Sequence, residues 1–155
     1  MKALITILGR STWALVNAYY AILEKEYHPD FIQIFVEDIY SDELEKAVDG
    51  LKILSDEFGF EPQIKTEVVK EAEFIEAGMK LNSVIKGLKR EGYTVAVDIT
   101  PGRKALVAGA LLPAEKLGVD HVFYLAVKNL ESKPYKMKPL KGQVLRDFIA
   151  EVQKR

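Results

Sequence analysis

Two short segments concentrate the residues that can do chemistry. The first is Gly9-Arg10-Ser11-Thr12, a glycine, a guanidinium and two hydroxyls at the end of an apolar run. The second is Asp98-Ile99-Thr100-Pro101-Gly102-Arg103-Lys104, which follows the apolar Val95-Ala96-Val97 and precedes an Ala/Leu-rich stretch. Pro101-Gly102 makes a tight turn. Arg103 and Lys104 then fall in the first turn of the next helix, where cations are unfavourable against the helix dipole. A local choice that works against its own helix points to another purpose, and binding phosphate is the obvious one. At the first segment, free backbone N–H groups at a helix start also favour an anion. The plainer alternatives are that Ser11 or Thr12 only caps a helix, and that Arg103 and Lys104 are solvated surface side chains. Neither segment is a dinucleotide fingerprint, because the later glycines of GxGxxG are missing, and neither is a Walker A loop.

Composition removes several other chemistries. The chain has no cysteine, which excludes disulfides, Cys-ligated zinc, iron–sulfur clusters and a cysteine nucleophile. Only His28 and His121 are present, too few for a multi-histidine metal site. Lys+Arg is 22 against 23 Asp+Glu, so a strongly basic DNA binder is not expected. No segment has the apolar length to span a bilayer, and the start lacks the processing site of a signal peptide; no membrane partner and a cytoplasmic location are expected. A 155-residue chain that is 48% hydrophobic supports one domain, 1–155, with a real core.

The elements that must position these segments alternate from end to end. Strands are expected at Ala3 to Leu8, Phe31 to Val36, Gln63 to Val69, Tyr93 to Ile99 and His121 to Val127. Helices are expected from Ser11 or Thr12 to about Lys25, after a Ser41 cap to about Gly59, over Glu71 to Arg90, and over Gly102 to Leu117. A last helix starts near Gly142, with the stripe Val144, Leu145, Phe148, Ile149 and Val152. Pro134 to Leu140 is a further extended piece, and the lysine-rich run over 128–141 is a candidate cover for an anionic ligand or a solvated hairpin. This alternation predicts an α/β fold: a doubly wound, mostly parallel, Rossmann-like sheet with helices on both faces. In such a sheet, ligands bind beyond the carboxyl ends of the strands, where the first and fourth strands sit side by side. Arg10, Ser11, Thr12, Thr100, Arg103 and Lys104 then surround one crevice as a phosphate-and-ribose surface. Asp98 is expected to lock the loop backbone rather than bind ribose, Glu37 and Asp38 to cap the following helix rather than face the crevice, and His121 to be structural. The first and fourth helices are apolar almost all round, which asks for a second cover: a partner subunit, or the C-terminal helix folded back.

The segment from Asp98 to Lys104, in its strand-to-helix setting, resembles the signature of the CARF (CRISPR-associated Rossmann fold) domain, commonly Asp-x-Thr-Gly-Gly-Thr-Lys. Pro101 and Arg103 stand here where Gly and Thr are usual. The Gly9 to Thr12 loop matches the family's first ligand loop, and the resemblance covers essentially the whole chain. It implies a homodimer that binds a cyclic oligoadenylate, most simply cyclic tetra-adenylate, across its two-fold axis. A member consisting of the CARF domain alone resembles the CRISPR ring nucleases, which destroy that messenger and switch off type III signalling. The resemblance then implies Ser11 and Lys104 as catalytic residues. Gly9, Arg10, Thr12, Thr100, Pro101, Gly102 and Arg103 line the ligand, with no cofactor and no metal. Ser11 and Thr12 both remain open as the hydroxyl at the phosphate. Two other readings compete: a non-catalytic sensor or sponge for the same ligand, and a general mononucleotide binder.

Overall fold

The computed structural model describes residues 1–127, 137 and 142–154, with the backbone alone at a few positions between 105 and 127. The extended piece expected over 134–140 and the lysine run over 128–141 lie outside the described residues, Met137 aside.

Six strands form one sheet: β1 (Lys2–Leu8), β2 (Phe31–Glu37), β3 (Gln63–Val69), β4 (Thr94–Asp98), β5 (His121–Val127) and β6 (Gln143–Asp147). Their order is β3-β2-β1-β4-β5-β6. The first five strands pair in parallel, and β6 runs antiparallel on β5. β2 is buried at all seven positions and β1 at six of seven, as expected of strands covered on both faces. The side-chain alternation of β1 divides the core. Ala3, Ile5 and Ile7 face α3 (Phe74–Arg90) and α4 (Lys104–Ala114), while Leu4 and Leu8 face α1 (Thr12–Leu23) and α2 (Leu44–Glu57). Each fully buried Ile or Leu contributes about 1.5–3 kcal/mol, so the two layers hold the sheet independently of any site chemistry. The doubly wound α/β fold expected from the sequence is the fold observed.

Three local expectations need correction. Ser41 does not cap a helix: it lies inside a 3-10 turn (Asp38–Glu43) that precedes α2, where its hydroxyl donates to the Asp38 carbonyl at 2.7 Å. The last helix does not start near Gly142. Val144 and Leu145 belong to β6, and α5 (Phe148–Gln153) begins only after Asp147, whose carboxylate accepts from the Ala150 N–H at 3.4 Å as its N-cap. Finally, α1 needs no partner subunit to cover its second side. Nine of its twelve residues are buried within the subunit. It packs on α2 so closely that a Cβ on Gly50 would stand 2.8 Å from Val16 Cγ2, and Ala18 and Ala21 pack with Leu125 and Leu145 of β5 and β6.

His121 holds the amino end of β5 to the carboxyl end of β6. Its Nδ1 stands 2.7 Å from Asp147 Oδ2, and its ring stacks on Phe123 at 5.5 Å, a structural role as expected.

Candidate functional site

The loops after β1 and β4 emerge side by side because β1 and β4 are neighbours in the sheet. The crossovers from these two strands leave toward opposite faces, α1 to one and α4 to the other, which opens a crevice at their carboxyl ends. The two loops touch. A Cβ on Gly9 would lie 2.3 Å from the Pro101 carbonyl oxygen, and one on Gly102 would lie 2.8 Å from Val107 Cγ2 and 3.1 Å from Ile7 Cβ. Gly9 therefore lets the two loop backbones abut, while Gly102 leaves room for the side chains of Val107 and Ile7 packed beneath the second loop.

Asp98 anchors the second loop from below. The register places it opposite Thr6, whose hydroxyl donates to Asp98 Oδ2 at 3.1 Å. Its other oxygen accepts from the Thr100 N–H at 3.0 Å, a turn closed by the side chain, as the sequence suggested. The carboxyl is 1% exposed, and burial pushes its pKa up to about 6, with the Thr100 and Thr6 hydrogen bonds opposing the rise. Thr100 turns its hydroxyl oxygen to the Leu125 N–H at 2.9 Å, so the loop is also tied to β5.

The two hydroxyls of the first loop have different surroundings. Ser11 is half-buried and caps α1, its Oγ accepting from the Ala14 N–H at 3.4 Å. Thr12 is buried, and its hydroxyl donates to the Glu43 carboxylate. That bond, ahead of the nearby Lys46, holds the Glu43 carboxyl below its ordinary range. Arg10 is exposed beside them.

Lys104 is exposed and is the first residue of α4. Arg103 precedes the helix rather than sitting in its first turn; its carbonyl accepts the Val107 N–H at 2.9 Å. The Arg103 side chain does not stand alone in the crevice. Its Nη1 donates to both oxygens of Glu37, at 3.2 and 3.4 Å, and to Glu71 Oε1 at 3.4 Å. These two carboxylates, Glu37 first, raise the guanidinium's already high pKa. Glu37 is therefore not a helix cap. It is a buried carboxylate at the end of β2, aimed across the sheet end at Arg103. The sequence reading missed this pairing, although an acidic residue closing an otherwise apolar strand was its visible signal. Asp38 is not the cap either: it is the first residue of the 3-10 turn, and its carboxylate accepts from the Ile39 N–H at 2.9 Å and from the Glu71 N–H at 3.0 Å. Among the described residues, no three His, Asp or Glu side chains are grouped so as to hold a metal ion.

The structure thus brings Gly9, Arg10, Ser11, Thr12, Thr100, Pro101, Gly102, Arg103 and Lys104 to one end of the sheet, on two abutting loops. No protein-family model matches the sequence, and no curated protein matches it. Its fold does match solved structures. Can2 from Sulfobacillus thermosulfidooxidans, in complex with cyclic tetra-adenylate, aligns with a TM-score of 0.61 at 8% identity, over 80% of this chain and 32% of that one. A type III CRISPR defence DNA nuclease activated by cyclic oligoadenylate aligns with a TM-score of 0.63 at 16% identity, over 81% of this chain and 19% of that one. Csm6 from Enterococcus italicus, bound to cyclic hexa-2'-fluoro-hexa-dAMP, aligns with a TM-score of 0.59 at 15% identity, over 86% and 35% of the two chains. The chain spans about a third or less of the length of each of these proteins. At these identities the likeness shows the fold alone, a mostly parallel, Rossmann-like α/β sheet flanked by helices.

Proposed function

We propose that the protein binds a cyclic oligoadenylate, cyclic tetra-adenylate first among ring sizes, across the two-fold axis of a homodimer and opens the ring without a metal ion. The observation that carries this reading is the junction of the two loops at the carboxyl ends of β1 and β4, one of which carries Ser11 and leads into α1 while the other leads to Lys104. Similarity of fold to proteins described as bound to, or activated by, cyclic oligoadenylates supports the choice of ligand.

The chemistry asks little of the protein. The ligand's own ribose 2'-oxygen attacks the adjacent phosphorus, the bond from phosphorus to the 5'-oxygen breaks, and the proton of the 2'-hydroxyl ends on that 5'-oxygen. A 2',3'-cyclic phosphate remains. The protein must align the 2'-oxygen with the leaving oxygen and stabilise the added negative charge. Lys104, exposed at the positive end of α4, meets the second need as a point cation. Ser11 meets the first, because the Thr12 hydroxyl is already held inside by Glu43. Arg10 takes a neighbouring phosphate. One such set per subunit cuts a four-membered ring at two symmetric positions and gives linear di-adenylate. Such a site lacks a strong general base, so turnover is slow and suits a signal's decay.

The test incubates the protein with labelled cyclic tetra-adenylate in EDTA and resolves products with time. Di-adenylate ending in 2',3'-cyclic phosphate is expected, with the rate falling about 100-fold or more in Lys104→Ala. Unchanged turnover in that variant removes Lys104 from the mechanism. Ligand that binds and is recovered intact establishes the second reading, a sensor or sponge. That reading is favoured by two of the structural neighbours, of which one is in complex with cyclic tetra-adenylate and the other is activated by cyclic oligoadenylate.

A further inference from the structure

Arg103 has two carboxylate partners that differ in kind. Glu37 is 3% exposed at its side chain, and removing its cation would leave a charge buried without compensation, so this arm is permanent. Glu71 is 48% exposed and meets a guanidinium that is 40% exposed, at 3.4 Å. Such a solvated, long contact is weak and exchangeable. Yet the backbone that presents Glu71 is carefully held. Its own N–H donates to Asp38 Oδ1 at 3.0 Å, and the Ala72 N–H donates to Glu37 Oε1 at 3.4 Å. Ala72 sits at φ +65°, a left-handed conformation that is unfavourable for alanine and persists only where the surroundings impose it. Glu37 therefore holds the ligand-loop arginine and also helps fix the turn that offers Arg103 a second carboxylate.

We infer that Glu71 is a built-in counter-ion that occupies Arg103 in the empty protein and is displaced from it by a phosphate of the ligand, while Glu37 keeps its hold. The inference rests on the anion-binding part of the function proposed above. A phosphate oxygen pair matches the guanidinium fork better than one long carboxylate contact, and the contacts to Glu37 and Glu71 all use Nη1. The consequence is a site tuned below its attainable affinity, in which only an anion able to displace a carboxylate is retained. Binding then also frees the Glu71 side chain at the 70–73 turn.

The test is a double-mutant cycle read by calorimetry at low ionic strength, with cyclic tetra-adenylate and with inorganic pyrophosphate as probes. Glu71→Gln removes the competing charge from an exposed side chain and leaves the backbone bonds of the turn in place. It is expected to tighten both probes about three- to tenfold. The same change is then made in a Glu37→Gln/Arg103→Met background, which leaves no unpaired carboxylate buried. There it is expected to change affinity less than about twofold. Equal tightening in both backgrounds would mean a general field effect and would overturn the inference. So would no tightening in the native background, or no binding of either probe by the protein and its Glu71→Gln form. If pyrophosphate follows the expected pattern and the cyclic ligand does not bind, the counter-ion stands and the ring-nuclease reading falls. If the cyclic ligand binds but is indifferent to Glu71→Gln, the reverse holds.

Discussion

Asp98 sits where the candidate site meets the core, and it has a measurable signature. Its carboxyl is buried under the ligand loop and titrates near 6 rather than at the ordinary 3.8. A raised value in the folded state means that folding favours the neutral acid. The contribution Asp98 makes to stability is fully present below about 3.8 and is lost as pH rises through about 6. Asp98→Asn keeps an acceptor for the Thr100 N–H and a partner for the Thr6 hydroxyl, and it carries no charge. Denaturant titrations should therefore show little difference between the two proteins near pH 4. The variant should gain between about pH 4 and pH 6.5, by on the order of 2 kcal/mol, and hold that gain to pH 8. A flat difference across that range would mean that Asp98 is not the titrating group. This lock was legible in the sequence, because an Asp two residues before a Thr at the end of an apolar strand closes a turn with its own side chain. The role of Arg103 was less legible. Its cationic character at a helix start signalled a need for an anion, but the anions that answer it here are Glu37 and Glu71, which lie 66 and 32 residues away in the chain. Pairing across that separation follows from strand order, which local pattern does not contain.

The elements themselves were legible wherever burial imposes a strong period. Four of the parallel strands and the four long helices follow the apolar spacing closely, since each packs against an apolar layer; the edge strand β3 was legible by its alternation, although only Val69 of it is buried. The C-terminal stripe failed because Val144 and Leu145 satisfy a helical spacing and a strand edge equally well over so short a span. Asp147 decides between them, by capping α5 and meeting His121. Helix packing makes a sharper prediction for the pair α3 and α4, which place the Lys104 loop from behind. A Cβ on Gly78 would stand 3.0 Å from the Gly109 carbonyl oxygen, and one on Gly109 would stand 3.2 Å from the Phe74 carbonyl oxygen. The helices cross backbone to backbone, and neither oxygen can retreat without moving a helix. Gly87, in the same α3, has nothing within 4 Å of its would-be Cβ. Gly87→Ala should therefore stabilise by about 0.5–1 kcal/mol through helix propensity alone. Gly78→Ala should destabilise by about 1 kcal/mol or more despite the same propensity gain. Chemical denaturation of the two variants gives opposite signs if the crossing is as tight as it stands, and equal signs if it is not.

At the scale of the molecule, the site draws on local rather than global charge. The chain carries a formal net charge of -1, so two copies offer no overall attraction to a cyclic tetranucleotide bearing four phosphates. The cations that meet it must converge from both subunits, and the proposed function therefore stands or falls with a dimer whose axis passes beside the two loops. The apolar character of α1 suggested a subunit contact there, but α2, β5 and β6 already cover it. Among the described residues, two large apolar side chains stand well exposed on the first turns of α3. Ile75 is 83% and Met79 67% exposed, one turn apart on the same helix face. Because β3 is parallel to β1 and β4, α3 starts at the same sheet end as the ligand loops. A two-fold contact through this face would bury both side chains and bring the Lys104 loops of two copies toward each other across the axis. Light scattering on a sizing column should then give a dimer for the native chain. It should give a monomer for Ile75→Glu/Met79→Glu, with an unchanged circular dichroism spectrum and a loss of at least about tenfold in affinity for the cyclic ligand. Pyrophosphate, which needs only one subunit's cations, should bind the monomeric variant as before. A variant that remains dimeric would move the axis to another face. A native chain that is monomeric yet takes one cyclic ligand per copy would remove the two-fold site altogether, and with it the symmetric double cut.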